Sequence, residues 1–195
     1  YNCLYNSCTM ARGGGRNQNI AQFFLELGVL KRTPRSGWIR AGVQNPETIA
    51  SHSFRAALIA WTLAKFHRAD SNKVVKMALL HDLEEARTGD LDMVAKKYHL
   101  NDKKAKAYAD VLKNSPFAIE ALVLITELGL GKTIEAKIVK DADKLDLFIQ
   151  AFEYKSAGLK VADKFMHSSK KELKLKFSKD LAKEIEKGDL VWWYK

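Results

Sequence analysis

Long proline-free stretches with a helical spacing of apolar residues constrain the fold of this 195-residue chain more than any other feature. Proline ends or kinks helices, and the chain has only 3 of them, at Pro34, Pro46 and Pro116. Between these positions, apolar residues recur three or four places apart, as on one face of a helix, and no alternating strand pattern of useful length occurs. The sequence therefore predicts an all-α fold, a single globular helical bundle.

The apolar pattern divides the chain into helices joined by polar segments. The predicted helices cover residues 19–31, 47–68, 72–88, 102–113, 117–128, 133–158 and 168–187. Asn72 is the expected cap of the third helix, and Gly89 its expected end. Two of these helices should direct large apolar stripes inward: Ile49, Leu58, Trp61 and Ala64 in the second, and Ile138, Ala142, Leu145, Ile149 and Phe152 in the sixth. Residues 31–46 are interpreted as a loop long enough to carry function.

The length of the chain suits one domain that buries its own core. We interpret residues 1–16 as a disordered leader, in part an addition before a natural start at Met10, so that the folded domain spans 17–195. The two cysteines, Cys3 and Cys8, lie in this leader and make no disulfide framework. No apolar run reaches the ~18 residues that span a bilayer, and no secretion signal is recognisable. We therefore expect a cytoplasmic protein without a membrane partner.

The formal charge of +10 raises the question of a nucleic-acid partner. However, the lysines of segments such as KKAKAY and KKELKLKFSKDLAKEIEK alternate with acidic and apolar residues at helical spacing. This arrangement is typical of solvated helix faces, so nucleic acid is not an expected partner. A positive field also speeds the capture of anionic small molecules, and charge alone therefore does not separate an enzyme from a binder.

Histidine and aspartate residues interrupt apolar helix faces at three places. His81 and Asp82 directly follow the apolar run of residues 77–80, where an ionised aspartate is costly unless it is paired or binds a cation. His52 and Asp143 lie on the apolar sides of two other helices. Two imidazoles and two carboxylates balance a divalent ion and suit Mn, Fe, Co, Ni or Zn, with room for water or substrate. We therefore predict one divalent transition-metal ion, held by these four side chains.

Each of the four residues also has an ordinary interpretation. A His-Asp pair on a helix is common by chance, and His52 on its own is more typical of a core or surface histidine. Asp143 could pair with a neighbouring lysine, and Asp141 or Asp146 could stand in its place. The order, the spacing and the predicted burial of the four residues together favour the metal site.

Two carboxylates near the predicted ligands are candidates for chemistry. Glu85 lies four positions after His81, one helical turn along the same face, where it could handle the proton of attacking water or of a leaving group. The alternative for Glu85 is a solvated surface charge. Asp90 follows Gly89, at the predicted end of the helix, and could bind a sugar hydroxyl or cap the following turn.

Two residues of the 31–46 loop are candidates for substrate binding. Arg35 could clamp a phosphate with its bidentate guanidinium group, although Arg32 and Arg40 are rivals on spacing alone. Trp38 could form a wall of the site or a stacking surface.

The stretches LKRTPRSGW, NPETIASHSFR, ALLHDLEEARTGDL and VKDADKLDLF resemble, in this order, the HD-domain family of 5'-deoxynucleotidases, over about residues 17–190. The resemblance implies a helical bundle of the HD-domain type, often dimeric, that hydrolyses deoxyribonucleoside 5'-monophosphates with a divalent metal such as cobalt or manganese. It implies that Glu85 acts on the water or the leaving group and that Arg35 holds the phosphate. Trp38 and Asp90 would face the sugar, and the metal ligands would be His52, His81, Asp82 and Asp143. A homodimer with a nucleoside monophosphate substrate is therefore expected.

The sequence departs from some members of this family, because Ser36 and Gly37 separate Arg35 from Trp38. An alternative is an HD hydrolase that cleaves a triphosphate or guanosine tetraphosphate, but the latter family usually has aspartate where Ala86 stands. Dinuclear HD phosphodiesterases need further histidines near the metal, and here the remaining ones are expected at solvated helix ends: His67, His99 and His167. A non-catalytic nucleic-acid or nucleotide binder is the alternative from another class.

Overall fold

The computed structural model describes residues 15–98 and 102–194, and helices make up most of this part of the chain. The helices are α1 (Gly15–Leu30), α2 (Ser36–Arg40), α3 (Ile49–His67), α4 (Ser71–Leu80), α5 (Glu85–Thr88), α6 (Asp102–Leu112), α7 (Ala118–Leu130), α8 (Ile134–Ser156), α9 (Ala162–Glu172) and α10 (Lys176–Ile185), with a 3-10 turn at Ala95–Lys97. The strand-like pairing in these ranges is limited to an isolated bridge between Pro34 and Thr48. The predicted all-α fold is confirmed.

Residues 1–14 of the predicted leader (1–16), which include both cysteines, lie outside the described residues. Gly15 and Arg16 form the start of α1. Of the helices within 15–98 and 102–194, none combines the length and the apolar character that a membrane crossing requires.

The helix α8 is central to the bundle, because α3, α4, α7, α9 and α10 all pack against it. Its predicted apolar stripe is fully buried at Ile138, Ala142 and Leu145 and half-buried at the last two positions. Two aspartates of the same helix, Asp141 and Asp146, are buried as well. Since buried carboxylates need partners, the central helix carries charged groups into the core only where other elements satisfy them.

The helix α3 packs against α4 and α8 through small side chains. Its buried alanines are Ala56, Ala57, Ala60 and Ala64. Ile49 is buried as predicted, but the prediction that Leu58 and Trp61 face inward is wrong, since they are 47% and 48% exposed. Helix separation depends on the side chains at the contact, so alanines allow close packing and the larger apolar residues lie on the outer side.

The predicted helix over 72–88 is wrong in its extent. The structure caps α4 with Asp70 rather than Asn72, and ends it at Leu80. Residues 81–84 form a tight turn before the short helix α5. The N–H groups that follow the break bond carbonyls three residues back, at 3.1–3.2 Å, which is tighter winding than an α-helix has. The continuous apolar pattern gave no sign of this interruption.

The predicted C-terminal helix over 168–187 is wrong as well, since the structure divides this region into α9 and α10. Leu173 has an extended backbone (ψ 134°) between them. The carboxylate of Asp141, on α8, accepts the N–H groups of Lys174 at 2.8 Å and Leu175 at 2.9 Å. A buried carboxylate therefore satisfies two backbone donors of the extended segment that joins α9 to α10.

The predicted loop over 31–46 contains the short helix α2 and is held by neighbouring segments. The backbone N–H of Arg35 donates to the carbonyl of Glu47 at 3.0 Å. Asp90, which follows α5, accepts the first N–H of α2, that of Ser36, at 2.7 Å. Asp90 thus caps α2 rather than the turn that follows it in the chain. These bonds fix the loop beside the segment that follows α4.

Candidate functional site

Three parts of the bundle bring four of the predicted residues to one place. His52 belongs to α3, His81 and Asp82 to the turn after α4, and Asp143 to α8. The two histidine Nε2 atoms are 3.2 Å apart, and the Nε2 of His52 lies 3.3 Å from Asp143 Oδ1. Asp82 Oδ2 lies 3.1 Å from the Nε2 of His81 and 3.7 Å from that of His52. Exposure rises from 0% for His52 to 24% for Asp143, so the cluster is open to solvent on the aspartate side.

A hydrogen bond at each Nδ1 atom fixes the two imidazole rings. The Nδ1 of His52 lies 2.5 Å from Asp146 Oδ2, and the Nδ1 of His81 donates to the carbonyl of Ala78 at 2.7 Å. Because a carbonyl and a carboxylate only accept hydrogen bonds, both Nδ1 atoms carry the hydrogen, and each neutral ring presents a lone pair at Nε2. The two lone pairs therefore face the same point, with Asp143 beside His52 and Asp82 beside His81.

The spacing of these atoms fits a shared cation. Donor atoms bound at about 2.1 Å to one ion, at tetrahedral or octahedral angles, lie about 3.0–3.4 Å from one another. Three of the separations in the cluster, at 3.1–3.3 Å, fall in this range. Two neutral imidazoles and two carboxylates also match a divalent ion in charge. The residues therefore fit a metal of the predicted class.

The cluster favours positive charge, and it therefore raises the pKa values of both histidines. Burial and the Arg35 cation lower the pKa of His52, but hydrogen bonds with two carboxylates outweigh them and raise it to about 10. Burial also opposes charge on His81, while the adjacent carboxylate of Asp82 favours it, and the pKa of His81 is raised. Metal ligation requires the neutral imidazoles, so a metal ion would displace these protons.

Asp146 and Arg55 support the cluster, a role that was not predicted from the sequence. Asp146 is fully buried and joins His52 through Oδ2 and the Arg55 Nε through Oδ1. Arg55 also pairs with Glu153 at 2.7 Å. The available signal was the matched spacing of His52 and Arg55 on α3 and of Asp143 and Asp146 on α8, three positions apart in each case. Since α3 and α8 pack together, both pairs meet across one interface.

Tyr108 of α6 is a second supporting residue that was not predicted from the sequence. Its side chain is buried, and its hydroxyl donates to the backbone carbonyl of His81. In a continuous α-helix that carbonyl would accept the N–H of Glu85, which bonds Asp82 instead at 3.1 Å. Tyr108 therefore supplies the partner that the helix break removes, and holds the turn that carries two of the four clustered residues.

Glu85 is a buried residue rather than a solvated one. It is 7% exposed, and its Oε2 atom has no hydrogen-bond partner among the described residues. Burial and the neighbouring carboxylates of Asp82 and Asp90 raise the pKa of Glu85 to about 9, which favours its protonated form at neutral pH. The adjacent Glu84, by contrast, pairs with Lys104 of α6. An uncommitted buried carboxyl group beside such a cluster is suited to proton transfer.

Arg35 is the loop arginine that reaches the cluster. Its Nη1 donates to Asp82 Oδ2 at 3.0 Å, and both side chains are mostly buried. The rival Arg40 is 56% exposed and pairs with a different aspartate, and the rival Arg32 is exposed. The structure therefore separates three arginines that spacing alone left equivalent.

Trp38 lines the cavity, as the predicted wall requires, but it is too deeply buried to offer a free stacking face. It is 1% exposed, and its Nε1 donates to Glu47 at 3.0 Å. Its ring packs against Tyr154 and Phe165, with centroids 4.9 Å and 4.4 Å away. A lone tryptophan in a polar loop gave no indication of these partners. Phe165, which is half-buried, is the more accessible ring on this side of the cavity.

A cavity of about 420 Å³ adjoins the cluster. Arg35, Asp90 and Lys144 line its polar end, which meets the cluster because Arg35 contacts Asp82 and Lys144 contacts Asp143 at 3.3 Å. Its apolar lining includes Trp38, Leu91, Met93, Val94, Leu147, Val161 and Phe165. The cavity thus suits a small ligand with an anionic group at one end and an apolar or aromatic group at the other.

Comparisons with known proteins agree with this arrangement. The family model described as HD domain matches residues 27–186, a range that includes every residue of the cluster and the cavity. The chain is 34% identical over 140 residues to a Danio rerio protein named 5'-deoxynucleotidase HDDC2, with 70% of each chain covered. It is 33% identical over 153 residues to the Homo sapiens protein of that name, with 76% of this chain and 74% of that one covered. A solved structure, a conserved hypothetical protein from Pyrococcus furiosus, superposes with a TM-score of 0.71 at 40% identity, over 86% of this chain and 97% of that one.

We predict that Tyr108→Phe weakens manganese binding about 10-fold or more, because it releases the turn that carries His81 and Asp82. The metal-free variant should also lose about 1–3 kcal/mol of unfolding free energy, since the His81 carbonyl loses its partner. Calorimetric manganese titration and urea unfolding measure the two effects. Tyr154→Phe is the matched control, because its hydroxyl bonds the Glu47 N–H at 3.0 Å, outside the cluster. An equal loss of manganese affinity in both variants would contradict the role assigned to Tyr108.

Proposed function

The chain belongs to the HD-domain family, and from this premise we propose that it is a metal-dependent phosphohydrolase that releases phosphate from deoxyribonucleoside 5'-monophosphates. One observation carries the proposal: two imidazole Nε2 atoms, 3.2 Å apart, meet two aspartates beside a cavity of about 420 Å³. The relatives named 5'-deoxynucleotidase, at 33–34% identity, support the substrate class.

The proposed metal ligands are His52, His81, Asp82 and Asp143, and the proposed metal is a single manganese or cobalt ion. A bound divalent ion supplies a Lewis acid that polarises the phosphoryl group and lowers the pKa of water. The chain itself fixes the direction of the ligands, since Asp146 holds the His52 ring at 2.5 Å. Orientation by such hydrogen bonds is what allows neutral imidazoles to bind metal tightly.

The substrate would lie with its phosphate at the polar end of the cavity. Arg35 would bind the phosphate, because its guanidinium group reaches the cluster and offers several parallel donors. Asp90 lines the same end and would accept a hydrogen bond from a sugar hydroxyl. The base would contact the apolar lining, of which Phe165 offers an aromatic ring. Trp38 also lines the cavity and would support the ring of Phe165, 4.4 Å away.

Glu85 would carry the proton transfer. The departing 5'-oxygen of a nucleoside is strongly basic and leaves much faster when it receives a proton. A carboxyl group whose pKa is raised to about 9 holds a proton at neutral pH and can donate it. The same carboxyl group could alternatively accept a proton from the attacking water, and the two roles are separable by experiment.

A homodimer and a cytoplasmic location stay predictions. Self-association is supported by an apolar stripe on the outer face of α3. Phe54, Leu58 and Trp61 lie at helical spacing on this face and are 67%, 47% and 48% exposed. Exposed apolar stripes of this kind are typical of protein contact surfaces.

We predict that the purified protein releases inorganic phosphate from deoxyribonucleoside 5'-monophosphates only with a bound metal. EDTA should abolish release, and added manganese or cobalt should restore it. A panel of deoxyribonucleotides and ribonucleotides, assayed for phosphate, measures both the activity and the sugar preference. If the metal-loaded protein releases no phosphate but binds nucleotide with a steep salt dependence and no response to chelator, it is a binder and not a hydrolase.

We predict that Glu85→Gln keeps its metal and lowers turnover of a deoxyribonucleotide about 10²- to 10⁴-fold, the usual range for lost acid-base catalysis. The defect should shrink with an aryl phosphate, whose leaving group departs without a proton, if Glu85 protonates the leaving group. An equal defect with both substrates would assign Glu85 to the attacking water instead. Wild-type turnover in a metal-loaded variant would remove Glu85 from the mechanism.

A further inference from the structure

Lys144 is a second cation at the polar end of the cavity. It follows Asp143 on α8, and its Nζ lies 3.3 Å from Asp143 Oδ2. The other oxygen of the same carboxylate, Oδ1, lies 3.3 Å from the Nε2 of His52. One carboxylate group therefore separates the ammonium group from the point where the metal ligands converge. The Lys144 side chain is 29% exposed and lines the cavity beside Arg35.

The charges at this end of the cavity indicate that Lys144 can balance the charge of a bound phosphate. Two aspartate ligands neutralise a divalent ion, and Asp90 offsets the charge of Arg35. A phosphate monoester adds a charge of about −1.5 to −2 at neutral pH. Of the cations that line the cavity, Arg35 and Lys144 are the two that contact the clustered aspartates. The other cations of the cavity, Arg40 and Lys96, are both exposed.

We propose that Lys144 binds the substrate phosphate together with Arg35, and that Glu172 competes with the phosphate for the same ammonium group. This inference rests on the proposed function and names a further phosphate-binding residue of that site. Glu172 Oε2, from α9, lies 3.3 Å from Lys144 Nζ and belongs to a side chain that is 55% exposed. Glu172 is therefore free to turn toward solvent when phosphate arrives, and the half-buried ammonium group keeps a partner in both states.

The alternative role for Lys144 is a structural ion pair between α8 and α9. Lys155 and Asp163 already form such a pair at 2.5 Å, between the same two helices. Lys155 does not line the cavity, whereas Lys144 does. Both lysines therefore pair with an acidic side chain of α9, but only Lys144 also contacts Asp143 and lines the cavity.

Binding of inorganic phosphate to the manganese-loaded protein, measured by calorimetry, tests the proposal without any turnover. Lys144→Met should weaken phosphate binding about 10- to 100-fold, the value of a hydrogen bond between charged groups. Its manganese affinity should stay unchanged or rise, because a cation beside Asp143 is removed. Lys155→Met should leave phosphate binding within about twofold of wild type, as for an exposed ion pair.

A second variant tests the competition. Glu172→Gln should strengthen phosphate binding a few-fold, because the ammonium group loses its alternative partner. The same change should have no effect in the Lys144→Met background, since the two residues act on one interaction. Because Glu172→Gln keeps the lysine, it tests the proposal even if Lys144→Met fails to fold. Unchanged phosphate binding in Glu172→Gln would count against it.

Equal phosphate binding by Lys144→Met and Lys155→Met would overturn the proposal. A parallel loss of phosphate and manganese binding in Lys144→Met would also overturn it, since that pattern marks a structural role. Failure of the proposed function gives a different result: the wild-type protein binds manganese and phosphate but hydrolyses no deoxyribonucleotide. In that case the comparison of the two lysine variants still decides the role of Lys144.

Discussion

Two imidazole lone pairs directed at one point are the constraint on which the rest of the structure depends. The Nε2 atoms of His52 and His81 lie 3.2 Å apart, and their Nδ1 atoms are committed to Asp146 and to the Ala78 carbonyl. Neither ring can rotate away without leaving a buried donor unpaired, at a cost of about 1–3 kcal/mol. The arrangement is therefore stable with a positive charge at the shared point, and the bundle holds a preorganised cation site.

The supporting contacts explain why separate parts of the chain must fold together for this site to exist. Asp146 links α8 to α3 through His52 and Arg55, and Tyr108 links α6 to the turn after α4. The tightened turn carries both His81 and Asp82, and the Tyr108 hydroxyl satisfies the His81 carbonyl that the break leaves without its helical partner. The same turn delivers Glu85 to a buried position beside the cluster. Ligand geometry and proton transfer thus depend on one local departure from helical winding.

The sequence predicted the helical class and the four clustered residues because these are local signals. A histidine or an aspartate within an apolar run, such as Asp82, is costly to bury unless it has a binding partner, so its presence in the run indicates a site. The sequence did not predict the break after Leu80, since its compensation comes from Tyr108, a partner distant in the chain. Nor did it predict that Trp61 faces outward, because apolar spacing marks a helical face without showing which side chains are small enough for close packing. Trp38 was placed by aromatic neighbours from other helices, which no local pattern encodes.

The position of the bound metal is the most direct test of this cation site. Crystals of the manganese-loaded protein, measured at the manganese absorption edge, should show one anomalous peak in the bundle. We predict that it lies about 2.0–2.4 Å from the Nε2 atoms of His52 and His81 and from carboxylate oxygens of Asp82 and Asp143. A peak bound elsewhere, or a metal-loaded structure in which either histidine is not a ligand, would contradict the site described above.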